Sequence, residues 1–589
     1  MSQGERPARD LGIILLLAAL IILPPLATRD LWSPDEPRYM EVAWEMVACH
    51  NYLVPHLNGE VYYEKPPLFF WAASALYQLG LRENAGRVVA GLATTATVLL
   101  VYFFARHCWP PPVPLWTALV LLTTYLFLSR MKRGVLDPVL TLFTTAAIMA
   151  GYRALHACGR ARAIWWMLFY VSLAAAVLTK GHVGFFVPAL VVLAYALWNR
   201  KAVSGGGLAH AAGGLLLLAV VGAWLVPAAR AAGSDYLYTL AFRQLVSRVV
   251  SSESHGHAFY YYLLHYPYLA FPWLLLFPVA LVAAVGAWRA RRESPALLAG
   301  LWFVGTFLLF SVVSGKRVGY LLPAIPACAL LAGRYVGEGF RRGWPWPRVH
   351  ARLVAATWAL VGTASLACAA VGVLRAHMPR LIARGYEQNE ASVKEMLEEA
   401  LRAAPPLLAP LAIAMGLAGA AFCFWFAWRV YRERETGARP LGLLVALMLA
   451  LSIVGDVTLV PLANRYCTAR NFCQLAAPHL AGAEEVYMLG DTLVGPYNLY
   501  TGRVSIPRLR DADAVWHALA APRRTAIIGA DSSFAKLAPG VLDRYRIAAA
   551  HWVGRRRQVL VVNWDAGGRI SARVMPTDSG PGCGTGSPR

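Results

Sequence analysis

Residues 34–67 read PDEPRYMEVAWEMVACHNYLVPHLNGEVYYEKPP and follow directly on the apolar run LGIILLLAALIILPPLA at 11–27. An acidic pair, Asp35-Glu36, opens the stretch, and an acid–base pair, Glu64-Lys65, closes it. Charge so close to a bilayer is costly unless it faces water or a polar ligand. The stretch therefore reads as a polar insertion between membrane segments, and as the first place to look for chemistry.

Composition carries the membrane reading to the whole chain. Of 589 residues, 58% are hydrophobic and 15% charged, against roughly 45–50% and 25% in soluble domains. Mean hydropathy is +0.49. Runs of about 20 apolar residues span a bilayer, and about thirteen candidates lie near 11–27, 86–105, 113–130, 136–153, 163–179, 183–198, 207–229, 266–288, 296–314, 318–336, 352–374, 404–428 and 440–463. The run at 66–81 is too short for a span, and with 37–50 it reads as interfacial helix. The expected fold class is thus a polytopic α-helical membrane protein. Its N-terminal run imitates a signal peptide but lacks a clear cleavage site, so it is read as a retained first helix.

Net charge is +23, carried mostly by Arg between the apolar runs. With the N-terminus in the cytoplasm, clusters such as Arg160/Arg162, Arg200/Lys201 and Arg341/Arg342 fall inside, as the positive-inside rule asks. This charge suits anionic lipid head groups; no nucleic-acid motif accompanies it, so no nucleic-acid partner is expected. Three tight turns oppose the rule on the outer side: Arg130, Lys132 and Arg133 in SRMKRGVLDP, Lys180 in LTKGH, and Lys316 and Arg317 in SGKRVGY. The preferred reading is that they converge on an anionic ligand, since several Lys/Arg donors match a phosphate well.

From about 480 the pattern changes. EVYML, RVSIP, TAIIGA, RIAAAHW and RQVLVVNW read as short strands between helical stretches such as DADAVWHALA. The expected domains are a transmembrane domain at 1–465 with outer-face segments at about 28–85, 230–265 and 375–403, an extracytoplasmic α/β domain at 466–570, and a disordered tail at 571–589. The α/β part has no G-x-G-x-x-G fingerprint and is given no nucleotide. Among the nine cysteines, Cys467 and Cys473 in CTARNFC are read equally as a disulfide or as two thiols.

Taken alone, Asp35 reads as the N-cap of RYMEVAWEMV rather than as a catalyst. Glu64 complements a helix that starts at Pro66-Pro67. Lys65 is unfavourable at that end unless an anion is near. His255, His257 and His265 sit among aromatics, where structural roles outweigh metal binding.

The stretch at 34–67 resembles the lipid A aminoarabinose transferases, within the protein-mannosyltransferase-like membrane glycosyltransferases of the GT-C fold. RENAGRVVAGL, VLDPVLTLF, LTKGHVGFFVPAL, HGHAFYYYL with FPW after it, and SGKRVGYLLPAIP follow in the family's order over about residues 30–330. Where the family has a pattern like P-T-Y, this chain has Val318-Gly319-Tyr320. The resemblance implies inverting transfer of a sugar, foremost 4-amino-4-deoxy-L-arabinose, from a polyprenyl (undecaprenyl) phosphate to lipid A phosphate. The alternative acceptors are lipopolysaccharide core, another glycan or protein. The setting is the periplasmic face of the bacterial inner membrane, and the enzyme is expected to act as a monomer. By the same resemblance Asp35, Glu64 and Lys65 are the catalytic candidates. Glu36, Arg38, Tyr39, Lys132, Arg133, Asp137, Lys180, Lys316, Arg317 and Tyr320 are the substrate-binding ones. Glu64 with His255 is the candidate pair for a divalent metal (zinc or magnesium). The competing reading, a transporter, would favour related repeats and polar residues at midplane; charge gathered at one face favours an interfacial enzyme.

Overall fold

The computed structural model of the chain describes residues 7–199, 207–240, 257–289, 294–313, 315–343, 347–374, 408–433, 437–490, 492–554, 556–565 and 567–570. These fall into two compact units. The first is formed within Met1–Arg29, Tyr39–Met378 and Ala404–Leu462. The second combines Asp30–Arg38 with residues of Ala463–Arg589. The sequence pattern divides the chain once, after 465; contacts also draw the short segment 30–38 out of the first unit.

The first unit is helical apart from one hairpin. Its elements are α1 (Pro7–Thr28), α2 (Asp35–Ala48, whose first turn belongs to the second unit), β1 (His56–Leu57) with β2 (Glu60–Val61), α3 (Leu68–Leu76), α4 (Ala85–Cys108), α5 (Val113–Thr123), α6 (Tyr125–Met131), α7 (Asp137–His156), α8 (Gly159–Lys180), α9 (His182–Trp198) and α10 (Gly207–Ala232). Then come α11 (Ser234–Tyr238), α12 (Tyr261–Ala270), α13 (Leu276–Arg289), α14 (Pro295–Val312), α15 (Ile325–Arg342), α16 (Pro347–Leu374), α17 (Leu408–Glu433) and α18 (Ala438–Val454).

Among the described residues eight helices are long and apolar enough to cross a membrane, or nine if α5 and α6 form one span. Three of the thirteen expected spans differ for identifiable reasons. The run at 113–130 is bent by 68° where Thr124 leaves the helix at ψ 122°. The runs at 183–198 and 266–288 give shorter apolar helices, His182–Trp198 and Trp273–Val285. Residues 68–81, expected to be interfacial, instead continue towards α4 within one apolar stretch, Leu68–Cys108. Gly80, at φ 89°, marks the kink in it.

Helix contact in this unit rests on small residues. A Cβ added at Gly333 would lie 2.2 Å from Thr117 Oγ1, and one at Gly337 would lie 2.6 Å from Val113 Cα. Four residues apart, these glycines present one bare stripe of α15 to α5, the usual route to close helix approach in membranes. Buried threonines return their hydroxyls to the carbonyl four residues back, as Thr94, Thr97, Thr117 and Thr144 do. That satisfies a polar group where no water is available.

The second unit is a five-stranded sheet in the order β4-β3-β5-β7-β6. Its strands are β3 (Glu485–Leu489), β4 (Arg508–Leu509), β5 (Thr525–Ala530), β6 (Arg546–Val553) and β7 (Arg556–Val562). β3, β4 and β5 run parallel; β7 is antiparallel to β5 and β6. β5, TAIIGA, is buried at every position, as a central strand covered on both faces should be. Phe472, Cys473 and Ala476 of the helix Arg470–Ala481 pack on one side of the sheet, and Val515, Leu519 and Phe534 on the other. Asn563 ties the end of β7 to the start of β5: its Oδ1 accepts the Thr525 amide at 2.9 Å, and its Nδ2 donates to the carbonyls of Leu519, Ala521 and Arg523. RVSIP is not itself a strand; β4 begins just after it. Cys467 and Cys473 are both free thiols. The segments 375–403 and 571–589, expected as an outer-face segment and a disordered tail, lie outside the described residues, as do residues 241–256 of the segment at 230–265.

Candidate active site

Asp35 and Glu36 occupy the first turn of α2, where the helix dipole favours carboxylates. Asp35 Oδ1 accepts from Arg38 Nη2 at 2.9 Å, one turn on. Glu36, nearly inaccessible, turns back to accept the Trp32 amide at 3.3 Å. Glu36 thus fixes the entry into the helix, and Asp35 and Arg38 present a joined acid–base pair. Tyr39 is buried in the first unit, edge-on to Phe69 and Phe70 at centroid separations of 6.1 and 6.0 Å.

Farther along α2 the sequence reading overlooked a second carboxylate pair. Glu41 and Glu45 share one helix face and are both buried. Glu41 Oε1 accepts the Asn58 amide and Glu45 Oε1 the Gly59 amide, each at 3.1 Å. Asn58 and Gly59 have φ 61° and 76° and form the two-residue turn of the β1–β2 hairpin. Asn-Gly suits a turn with positive φ at both central positions. Burial, and then the neighbouring Glu45, push the Glu41 carboxyl well above the usual carboxylate range. Burial also raises Glu45. The legible signal was the i,i+4 spacing of two glutamates on an otherwise apolar face, together with Asn58-Gly59.

The hairpin delivers Glu64 and Lys65. The Tyr62 hydroxyl donates to Glu64 Oε2 at 3.3 Å. Lys65 is only 6% exposed; its Nζ donates to the Glu64 carbonyl at 3.0 Å and lies 3.7 Å from Glu64 Oε2. A buried ammonium of this kind needs anionic company to repay its desolvation.

Residues of three cation-bearing turns lie near Asp137, at the start of α7. Its carboxylate pairs with the Lys180 ammonium and lies within electrostatic reach of Arg130 and Lys65. Lys180 Nζ sits 4.5 Å from the centre of the Tyr320 ring. A Cβ at Gly319 would come within 2.6 Å of Arg130 Nη2, so the missing side chain leaves the guanidinium its path. Arg130 and Arg133 also line a cavity of about 370 Å³ with Leu126, Ser129, His265, Tyr268 and Val318. Two guanidinium groups beside an apolar wall are surroundings that suit an anionic amphiphile.

Two of the expected cations are not in this group. Lys132 points the other way and pairs with Asp456, also donating to Ser452. Lys316 donates to the carbonyls of His257 at 2.9 Å and Val313 at 2.6 Å. Both ammonium groups are buried, and each takes an acceptor that the fold brings alongside rather than leave its charge unmatched. Arg317 contributes its carbonyl, which accepts the Tyr262 hydroxyl at 3.3 Å. His255 lies outside the described residues. Among the described residues no three His, Cys, Asp or Glu groups come together to hold a metal, and Glu64 is already shared between Tyr62 and Lys65.

Residues 11–238 match the dolichyl-phosphate-mannose-protein mannosyltransferase family. The chain is 32% identical over 338 residues to undecaprenyl phosphate-alpha-4-amino-4-deoxy-L-arabinose arabinosyl transferase 2 of Proteus mirabilis, covering 56% of this chain and 60% of that one. It is 34% identical over 340 residues to the corresponding transferase 1 of Sodalis glossinidius, covering 56% and 59%. The match thus spans about 60% of the length of these relatives. In three dimensions it superposes on ArnT from Cupriavidus metallidurans, solved bound to undecaprenyl phosphate, with a TM-score of 0.71 at 21% identity over 95% of this chain and 99% of that one. The chain shares the fold of that transferase. The turns around Asp137 and the hairpin before Lys65 fall within the stretch that matches the mannosyltransferase family, apart from Gly319 and Tyr320. With at least eight helices long and apolar enough to cross a membrane among the described residues, it is a multi-pass membrane protein.

Proposed function

We propose that the chain is an inverting glycosyltransferase that moves 4-amino-4-deoxy-L-arabinose from undecaprenyl phosphate to a lipid A phosphate at the periplasmic face of the inner membrane. The observation that carries this reading is the meeting of Lys65, Arg130 and Lys180 around Asp137, in a chain whose relatives are named for that donor. In the reaction the bond from the anomeric carbon to the donor phosphate breaks, its electron pair leaving on the phosphate oxygen. An acceptor oxygen bonds to the same carbon from the opposite face. The leaving phosphate departs readily if its growing charge is neutralised; Lys65 is assigned that task, with Arg130 and Lys180 beside it. A lipid A phosphate is already an anion and needs no strong base. Asp35 then orients the donor through the sugar amine; towards a hydroxyl acceptor it would serve as general base.

A second reading keeps the donor and changes the acceptor to lipopolysaccharide core, another glycan or protein. The departure at Val318-Gly319-Tyr320 favours it. Mass spectrometry of lipid A from cells with and without the gene separates the two: an aminoarabinose adduct that depends on the gene supports the first, and its absence sinks it. For the donor, Lys65→Ala is expected to weaken undecaprenyl phosphate binding to purified protein by on the order of tenfold or more, the loss of one charge-assisted contact. Unchanged affinity would remove Lys65 as a phosphate ligand. A role for zinc or magnesium at Glu64 and His255 is tested separately, by activity after chelation and re-addition of each ion.

A further inference from the structure

The segment 30–38, which carries Asp35, is built into the second unit from two sides. On one side Asn464 Oδ1 accepts both the Asp30 amide at 3.2 Å and the Trp32 indole N–H at 2.8 Å. The Asp30 carboxylate lies 3.2 Å from Arg470 Nε, and the Ser33 amide donates to the Cys467 carbonyl at 3.3 Å. On the other side is Gly495, in the loop that follows β3. Its φ is +107°, in the left-handed region that favours glycine. A Cβ there would stand 2.9 Å from Arg38 Cα and 3.3 Å from Arg38 N. The loop is itself fixed: fully buried Asn498 accepts the Gly495 amide at 3.3 Å and donates to the carbonyls of Arg503 and Val504.

The place has a topological meaning. Ligands of open α/β sheets usually bind beyond the carboxyl ends of parallel strands. Here the loop at the carboxyl end of β3 receives backbone of the chain's own segment 30–38, at a glycine that leaves room for nothing larger. We infer that the C-terminal α/β unit is a positioning scaffold for the Asp35 segment, with Asn464 and Gly495 as positioning residues. This rests on the reading in which Asp35 acts in transfer. Neither residue needs to touch substrate. Asn464 sets the register of residues 30–32, and Gly495 lets the backbone at Arg38 approach, so that Asp35 is held from both flanks.

The experiment compares full-length Asn464→Ala, Asn464→Asp and Gly495→Ala proteins in detergent. Three quantities are read: hydrogen–deuterium exchange of peptides covering 30–38, undecaprenyl phosphate affinity, and transfer rate. Asn464→Ala and Gly495→Ala are expected to raise exchange in 30–38. They should lower turnover by on the order of 10- to 100-fold, the effect of displacing a reacting group by ~1 Å, with affinity for undecaprenyl phosphate kept within about twofold. Asn464→Asp retains an acceptor oxygen and should recover most of the loss. Unchanged exchange over 30–38 in both disruptive variants overturns the scaffold, as does wild-type turnover in both. If Gly495→Ala fails to fold, the Asn464 pair still decides. If the wild-type protein shows no transfer at all, the proposed activity fails while the exchange result still stands or falls by itself.

Discussion

Asp35 illustrates how little one residue discloses. In sequence it suits a helix cap, and in the structure it sits in the first turn of α2, joined to Arg38. That pair is partly exposed, and such ion pairs contribute about 0–1 kcal/mol. Asp35→Asn is therefore expected to leave thermal stability nearly unchanged while abolishing transfer. A variant with wild-type turnover would return Asp35 to a purely local role. Glu41 and Glu45 make a different prediction. Their folded-state affinity for protons is raised, mainly by burial. The charged or titratable groups around them are each other, His56 and Cys49. A carboxyl with a raised folded pKa gives its full stability below the ordinary carboxylate range and loses it as pH rises through the folded value. Stability should thus fall on the alkaline side. Glu41→Gln keeps an acceptor for Asn58 and supplies N–H donors towards Glu45 without titrating. Its melting temperature should gain on wild type as pH is raised from about 5 to 8. Glu41→Ala should lose about 1–3 kcal/mol at both ends, leaving a buried amide unsatisfied. Parallel melting curves for Glu41→Gln and wild type across that range would refute a raised proton affinity at Glu41 in the folded state.

At the scale of elements, the apolar runs were legible because a membrane helix announces itself by length and composition. What composition conceals is where a run breaks. The bend at Thr124 contains neither Pro nor Gly, so nothing in 113–130 separates α5 from α6. The β1–β2 hairpin also escaped notice, since its strands are two residues each and carry no alternating pattern, although Asn58-Gly59 is a hairpin signal. The glycine stripe on α15 was present in the sequence at Gly333 and Gly337, but its partner on α5 was not. Because a Cβ at either glycine meets backbone or a short side chain of α5 within 2.6 Å, Gly337→Leu forces the helices apart. The expected cost is about 1–3 kcal/mol or more, read as a lower melting temperature in detergent. Gly214, with open space around it, is the control: Gly214→Ala should be neutral. Equal stability of the two variants would mean that α5 and α15 are not held at this distance.

Across the whole molecule, the sequence pointed to cation-bearing turns but not to which cations the fold brings together. Lys65, Arg130 and Lys180 assemble around Asp137, whereas Lys132, two residues from Arg130, pairs with Asp456 more than 300 positions later in the chain. Such a choice depends on which carboxylate the fold brings alongside, and one sequence does not encode that locally. The distinction between a phosphate ligand and a structural tie is testable because the two roles respond differently to a double change. Lys132 and Asp456 are both buried, with side chains 9% and 6% exposed. Removing one partner strands a charge and costs about 3–5 kcal/mol, whereas replacing both with apolar groups is often neutral or stabilising. Lys132→Met alone should therefore destabilise the protein markedly. Lys132→Met with Asp456→Leu should restore the melting temperature, a coupling that reports direct contact. If Lys132 is only a tie, the double variant also recovers wild-type affinity for undecaprenyl phosphate. If Lys132 is a ligand, stability returns and affinity does not, and the cation group around Asp137 would have to be redrawn to include it.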